Sequence, residues 1–77
     1  MEYDSNAAAI GKRLQECREK TGKTLIDTAS DLGISPSALS MYENGERIPR
    51  DNIKIRLSKY FNVPIQLLFF AKEKHET

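Results

Sequence analysis

The chain has 77 residues, a net charge of +1, 39% hydrophobic residues, one cysteine and one histidine. That length allows one domain whose small core hides only about 60–65% of the surface its unfolded form exposes. No apolar run approaches 18 residues, which argues against a membrane span, and Cys17 cannot form an internal disulfide.

The N-terminus MEYDSNAAAI is acidic and lacks a basic segment followed by an apolar one, so it reads as no secretory signal and a cytoplasmic location is expected. Residues 1–6 read as a flexible arm, with Ser5 or Asn6 able to cap a first helix over AAAIGKRLQECREKT. Ile10, Leu14 and Cys17 recur at helical spacing as its buried stripe, while Lys12, Arg13, Glu16, Glu19 and Lys20 fall on the wet side. Gly22 ends it. Arg13 and Lys23 are candidates to reach a phosphate, against the ordinary reading of solvated surface cations.

A second helix opens on Thr24, with Asp27 three residues later able to join in satisfying the first amides. Leu25, Ala29 and Leu32 stack on one face, and Gly33 lets the chain leave with positive φ. Ser35-Pro36 then starts a third helix, Ser as N-cap and Pro where no amide hydrogen is missed. Two helices joined by so short a Gly-containing turn, here over residues 24–43, form a helix-turn-helix. Leu39 and Tyr42 can face inward, which leaves Ser37, Ala38, Ser40 and Met41 outward and uncharged. Such a face suits close approach to another surface, such as the floor of a major groove. A short buried linker helix is the plainer alternative.

Asn44-Gly45 closes the third helix, and Ile48 in the following loop is expected to anchor inward. From Asn44 to Tyr60 the chain carries Arg47, Arg50, Lys54, Arg56 and Lys59 against Glu46 and Asp51, a local basic surplus directly after the uncharged helix. Asp51 is expected to cap a fourth helix, DNIKIRLSKYF, that buries Ile53, Leu57 and Tyr60 or Phe61 and leaves Ile55 to face a partner. After the break at Asn62-Val63-Pro64 a fifth helix runs through IQLLFFAKE. Ile65, Leu68 and Phe69 suit the core, whereas Leu67 and Phe70 are surplus to one face; they read either as a self-association patch or as residues that a small core wraps around. His75 and the tail over residues 72–77 read as solvated.

The run ISPSALSMYENGERIP resembles the Cro/phage-repressor type of helix-turn-helix domain, also called the XRE family, and the similarity extends over roughly residues 10–70. Its ordered set is Arg18, Gly22, Ala29, Gly33, Ser35, Glu43-Asn44-Gly45, Pro49, Val63 and Leu68. The resemblance implies an all-α, five-helix, lambda-repressor-like domain over residues 7–71. It implies a sequence-specific DNA-binding regulator, most simply a repressor, that inserts its third helix into the major groove of a palindromic operator. The base-reading positions would be Ser35, Pro36, Ser37, Ser40 and Met41. Asn44 and Arg47 match positions that bond to phosphates, Arg50 lies close by, and the helix start at Thr24 and Leu25 would turn its amides to a phosphate.

By the same resemblance Arg18 pairs with Glu43, and the family's habit of dimerising favours a homodimer through Ile55, Leu67 and Phe70. Many relatives carry Gln where Leu25 stands. The recognition face also lacks the Arg, Asn or Gln that make bidentate pairs with guanine or adenine, so readout would lean on apolar contacts, water and DNA shape. Double-stranded DNA is the expected partner; no cofactor, metal or small-molecule ligand is implied. A protein-interaction module, such as an antitoxin or adaptor, is the competing class. An enzyme is not expected, because the one histidine lies in the tail and the one cysteine on an apolar stripe.

Overall fold

Five helices follow one another in the computed structural model, which describes residues 6–70. They are α1 (Ala7–Thr21), α2 (Leu25–Leu32), α3 (Pro36–Glu43), α4 (Asp51–Phe61) and α5 (Ile65–Phe69), with no strand among the described residues. The sequence expectations for residues 1–5 and for the tail with His75 lie outside the described residues. Asn6, one of the two cap candidates read from the sequence, is the N-cap of α1: its Oδ1 accepts the Ala9 amide at 2.8 Å.

The helix boundaries follow local chemistry. Thr24 Oγ1 accepts the Asp27 amide at 3.1 Å, and Ser35 Oγ accepts the Ala38 amide at 3.0 Å with Pro36 opening α3. Gly33 leaves α2 at φ +74°, a conformation that would strain most other residues. Two boundaries differ from the sequence reading. Arg50, not Asp51, is the N-cap of α4, and it makes no side-chain cap bond; Asp51 sits one step later, where its charge still suits the positive helix start. The fifth helix ends at Phe69, since Phe70 has φ −129° and no longer continues the turn.

The core is Ile10 and Leu14 from α1, Ala29 and Leu32 from α2, Leu39 and Tyr42 from α3, Leu57 from α4, and Leu68 and Phe69 from α5. Cys17, Leu25, Ile53, Tyr60, Phe61 and Ile65 are partly buried around it. Partial burial holds the Cys17 thiol above its usual pKa, which favours the protonated form. Ile48 does not anchor inward. It is 49% exposed, and its neighbour Pro49 is buried instead. Adjacent residues of a non-helical stretch point different ways, and proline brings no amide hydrogen into the interior.

Two buried positions carry more structural meaning than their residue types suggest. Gly11 lies where α1 crosses the end of α3: a Cβ there would fall 2.4 Å from the Glu43 carbonyl oxygen and 2.6 Å from that of Tyr42. The obstructing atoms are backbone, so they cannot swing aside. Thr28 is completely buried, and its Oγ1 has no hydrogen-bond partner among the described residues. Helix ends are tied off by arginines. Arg56 Nη1 donates to the Leu32 carbonyl at 3.1 Å and Arg13 Nε to the Leu68 carbonyl at 2.9 Å, so cations meet the negative ends of α2 and α5.

These two sites respond oppositely to substitution. Gly11→Ala gains up to about 1 kcal/mol of helix propensity but overpacks against backbone. A net loss of about 1–3 kcal/mol is expected, read as a Tm lower by roughly 5–15 °C. Thr28→Val keeps the shape and removes the orphan hydroxyl, whose burial costs about 1–3 kcal/mol. Its Tm is expected to rise by several degrees in the same calorimetric scan.

Candidate nucleic-acid interface

The turn Gly33–Ile34–Ser35 holds α3 across α2, and half-buried Ile34 plugs the corner, its amide bonded to the Ala29 carbonyl at 3.0 Å. With Leu39 and Tyr42 in the core, α3 shows its opposite side to solvent. Pro36 and Ser37 are exposed, and Ser40 and Met41 are half-buried. Together with Leu25 and Ile26 of α2 these four residues line an open, shallow depression between the two helices. None of the six carries a charge. Ser35 stands apart, its oxygen accepting the cap bond, with its hydroxyl hydrogen and one lone pair left for another partner.

Ile26 is the residue that sequence reading passed over. At 65% exposed it is the most exposed large hydrophobic side chain among the described residues. The signal was available: Ile26 falls off the Leu25–Ala29–Leu32 stripe, just as Ile55 falls off the stripe of α4.

The far end of α3 is fixed by a two-pronged ion pair. Arg18 Nε donates to Glu43 Oε2 at 2.7 Å and Nη2 to Oε1 at 3.0 Å, while Nη1 reaches the Lys23 carbonyl at 3.3 Å. The side chains are only 16% and 5% exposed. The hydrogen bond to Glu43 raises the pKa of Arg18 above an already high value, so the guanidinium keeps its charge.

The chain then doubles back. The Glu46 and Arg47 amides donate to the Met41 carbonyl at 2.8 and 3.4 Å, which starts the basic loop at the wall of the depression. Arg47 and Arg50 are exposed, and their side chains make no hydrogen bond or ion pair with the other described residues. Exposed Asn44 donates from Nδ2 to Ser40 Oγ at 3.4 Å.

The remaining basic candidates are placed differently. The Lys23 ammonium lies 2.7 Å from Asp31 Oδ2 and 3.4 Å from the Tyr60 hydroxyl, which itself donates to Asp31 Oδ2 at 2.6 Å. The hydrogen bond from Lys23, then that from Tyr60, holds the Asp31 carboxyl below its usual range. Arg13 is anchored on α5. Thr24 and Leu25 begin α2 beside the depression, with Thr24 exposed and Leu25 half-buried.

Ile55, Leu67 and Phe70 are each about half exposed. Lys54 Nζ stands 5.0 Å from the Phe70 ring centre and 5.7 Å from that of Phe69. Among the described residues no cluster of three or more His, Cys, Asp and Glu could hold a metal ion. No described helix is long and apolar enough to cross a membrane.

Comparison with known proteins gives three findings. The helix-turn-helix family model matches residues 14–68. The HTH-type transcriptional regulator ImmR of Bacillus subtilis is 38% identical over 72 residues, covering 90% of this chain and 57% of its own length, so the chain spans little more than half of that relative. Among solved structures, the SOS-response transcriptional repressor LexA from Eubacterium rectale superimposes with a TM-score of 0.83 at 27% identity, covering all of this chain and 82% of its own. The P22 c2 repressor in complex with a synthetic operator gives 0.75 at 25% identity, covering 78% of this chain and 91% of its own.

Breaking one partner of the Arg18–Glu43 pair strands the other charge in a nearly closed site. Arg18→Ala or Glu43→Gln is expected to cost about 3–5 kcal/mol in urea unfolding. The double substitution is expected to cost clearly less than the sum of the two.

Proposed function

This chain belongs to the helix-turn-helix family of the Cro and phage-repressor type, and on that premise we propose that it is a sequence-specific, DNA-binding transcriptional regulator acting as a repressor. The observation that carries the reading is the outer face of α3. It is uncharged, anchored at its C-terminal end by Glu43, and bordered by the start of α2 on one side and the Arg47–Arg50 loop on the other. In this reading α3 lies in the major groove and α2 crosses the backbone. Pro36, Ser37, Ser40 and Met41 meet base edges, with Ser35 at the rim. The first amides of α2, beginning at Leu25, point at a phosphate, and Arg47, Arg50 and Asn44 meet the strand beyond α3. Arg13 and Lys23 contribute only by leaving their internal partners.

The names of the relatives support regulation of transcription, and the P22 c2 complex supports an operator as the ligand. The same reading makes the protein a cytoplasmic homodimer joined through Ile55, Leu67 and Phe70. Two copies of α3 would then stand about 34–36 Å apart on a palindromic operator. An enzymatic role has no support from the family.

Selection from a random duplex pool with the full chain is expected to enrich a two-fold symmetric site with half-sites one helical turn apart. Failure to enrich any sequence would overturn the assignment. On the selected site Arg47→Ala is expected to weaken binding and to reduce the slope of log K against log salt by about one, equally on specific and random DNA. An unchanged slope would remove Arg47 from the phosphate contacts.

A further inference from the structure

The depression between α2 and α3 has a chemistry of its own. Its lining is apolar, Leu25 and Ile26 from α2 and Pro36 and Met41 from α3, and the only polar side chains in it are the small hydroxyls of Ser37 and Ser40. No cationic fork is present to grip guanine, no carboxamide to grip adenine, and no positive charge to hold a phosphate within the slot itself. What an apolar slot can read in the major groove is the 5-methyl group of thymine, a hydrophobic knob that no other unmodified base presents there.

We propose that Ile26 and Met41 form the two jaws of a thymine-methyl slot, and that Ile26, which neither motif nor helix stripe singles out, is a specificity-determining residue. This rests on the reading of α3 as a major-groove helix. Ile26 is 65% exposed on the first turn of α2, where it spends apolar surface on no core contact. Charge complementarity favours nucleic acid over an apolar protein helix as the occupant. The loop bearing exposed Arg47 and Arg50 starts from Met41, its Arg47 amide bonded to the Met41 carbonyl, so a basic loop adjoins the helix that lines the uncharged slot. A polyanion that offers a methyl group at its base edges meets both features.

The test uses the full chain and the duplex enriched from the random pool, read by fluorescence anisotropy. Each thymine is replaced in turn by deoxyuridine, which pairs identically and lacks only the methyl. At one thymine of each half-site the replacement is expected to weaken binding about fourfold, the worth of one buried methyl group. Ile26→Ala is expected to weaken binding to the parent duplex by a similar factor and to leave the salt slope and melting temperature unchanged. In that variant the deoxyuridine penalty at the same thymine is expected to disappear.

If every deoxyuridine duplex binds as tightly as the parent, or if the penalty survives undiminished in Ile26→Ala, the slot is overturned while specific DNA binding stands. If Ile26→Ala instead changes the sedimentation coefficient of the free protein, a second copy covers the slot and the proposal falls. A pool that yields no enriched sequence removes the functional reading and the slot together.

Discussion

The structure depends on how closely α1 approaches the end of α3. Gly11, Leu14 and Arg18 are spaced three and four residues apart, which puts them on one face of α1. That face meets α3 in three different ways. Gly11 allows backbone-to-backbone contact with the Tyr42 and Glu43 carbonyls, Leu14 fills the core beside it, and Arg18 closes a bidentate ion pair on Glu43. An eight-residue helix has little stability of its own in water. Fixing it from one side by sterics and charge lets the opposite side stay uncharged and exposed without collapsing inward. Gly45, whose Cβ would fall 3.0 Å from the Ala8 Cα, extends the same close contact into the loop after α3.

Charge is distributed by the same logic. A net charge of +1 looks poorly suited to a polyanion. Many of the cations, however, work inside the protein. Arg13 and Arg56 finish α5 and α2, Arg18 holds Glu43, Lys23 bridges Asp31 and Tyr60, and Lys54 rests over two phenylalanine rings. Arg47 and Arg50 stay exposed in the one loop that begins at the end of α3. The useful quantity for binding is this local excess, not the total.

Much of the fold was legible because helix ends are set by local chemistry. Thr24, Ser35-Pro36, Gly22 and Gly33 announce starts and stops without reference to distant residues, and the stripes of α1, α2 and α4 follow from helical spacing alone. The pairing of Arg18 with Glu43, 25 residues apart, came from family resemblance, since no periodicity links the two. What stayed hidden depends on tertiary contact. Gly11 looks like an ordinary helix-weakening glycine until α3 is laid across it. Thr28 stands where the family usually has Leu, so its place in the core of α2 follows from the resemblance; that its hydroxyl finds no partner among the described residues does not. In the 44–50 loop two neighbours, Ile48 and Pro49, exchange the roles that hydrophobicity alone assigns. Ile26 was readable in principle from its place off the core stripe, but its meaning appears only beside Pro36 and Met41.

The central claim is that α3, braced by α1, offers its uncharged side to duplex DNA. Amide chemical-shift mapping during titration with the selected duplex tests it most directly. The account predicts large shifts over residues 35–41, at the start of α2 and through residues 44–50, with the Ile55 and Leu67 amides little changed by added DNA. Shifts concentrated on α4 and α5, with residues 35–41 silent, would contradict it.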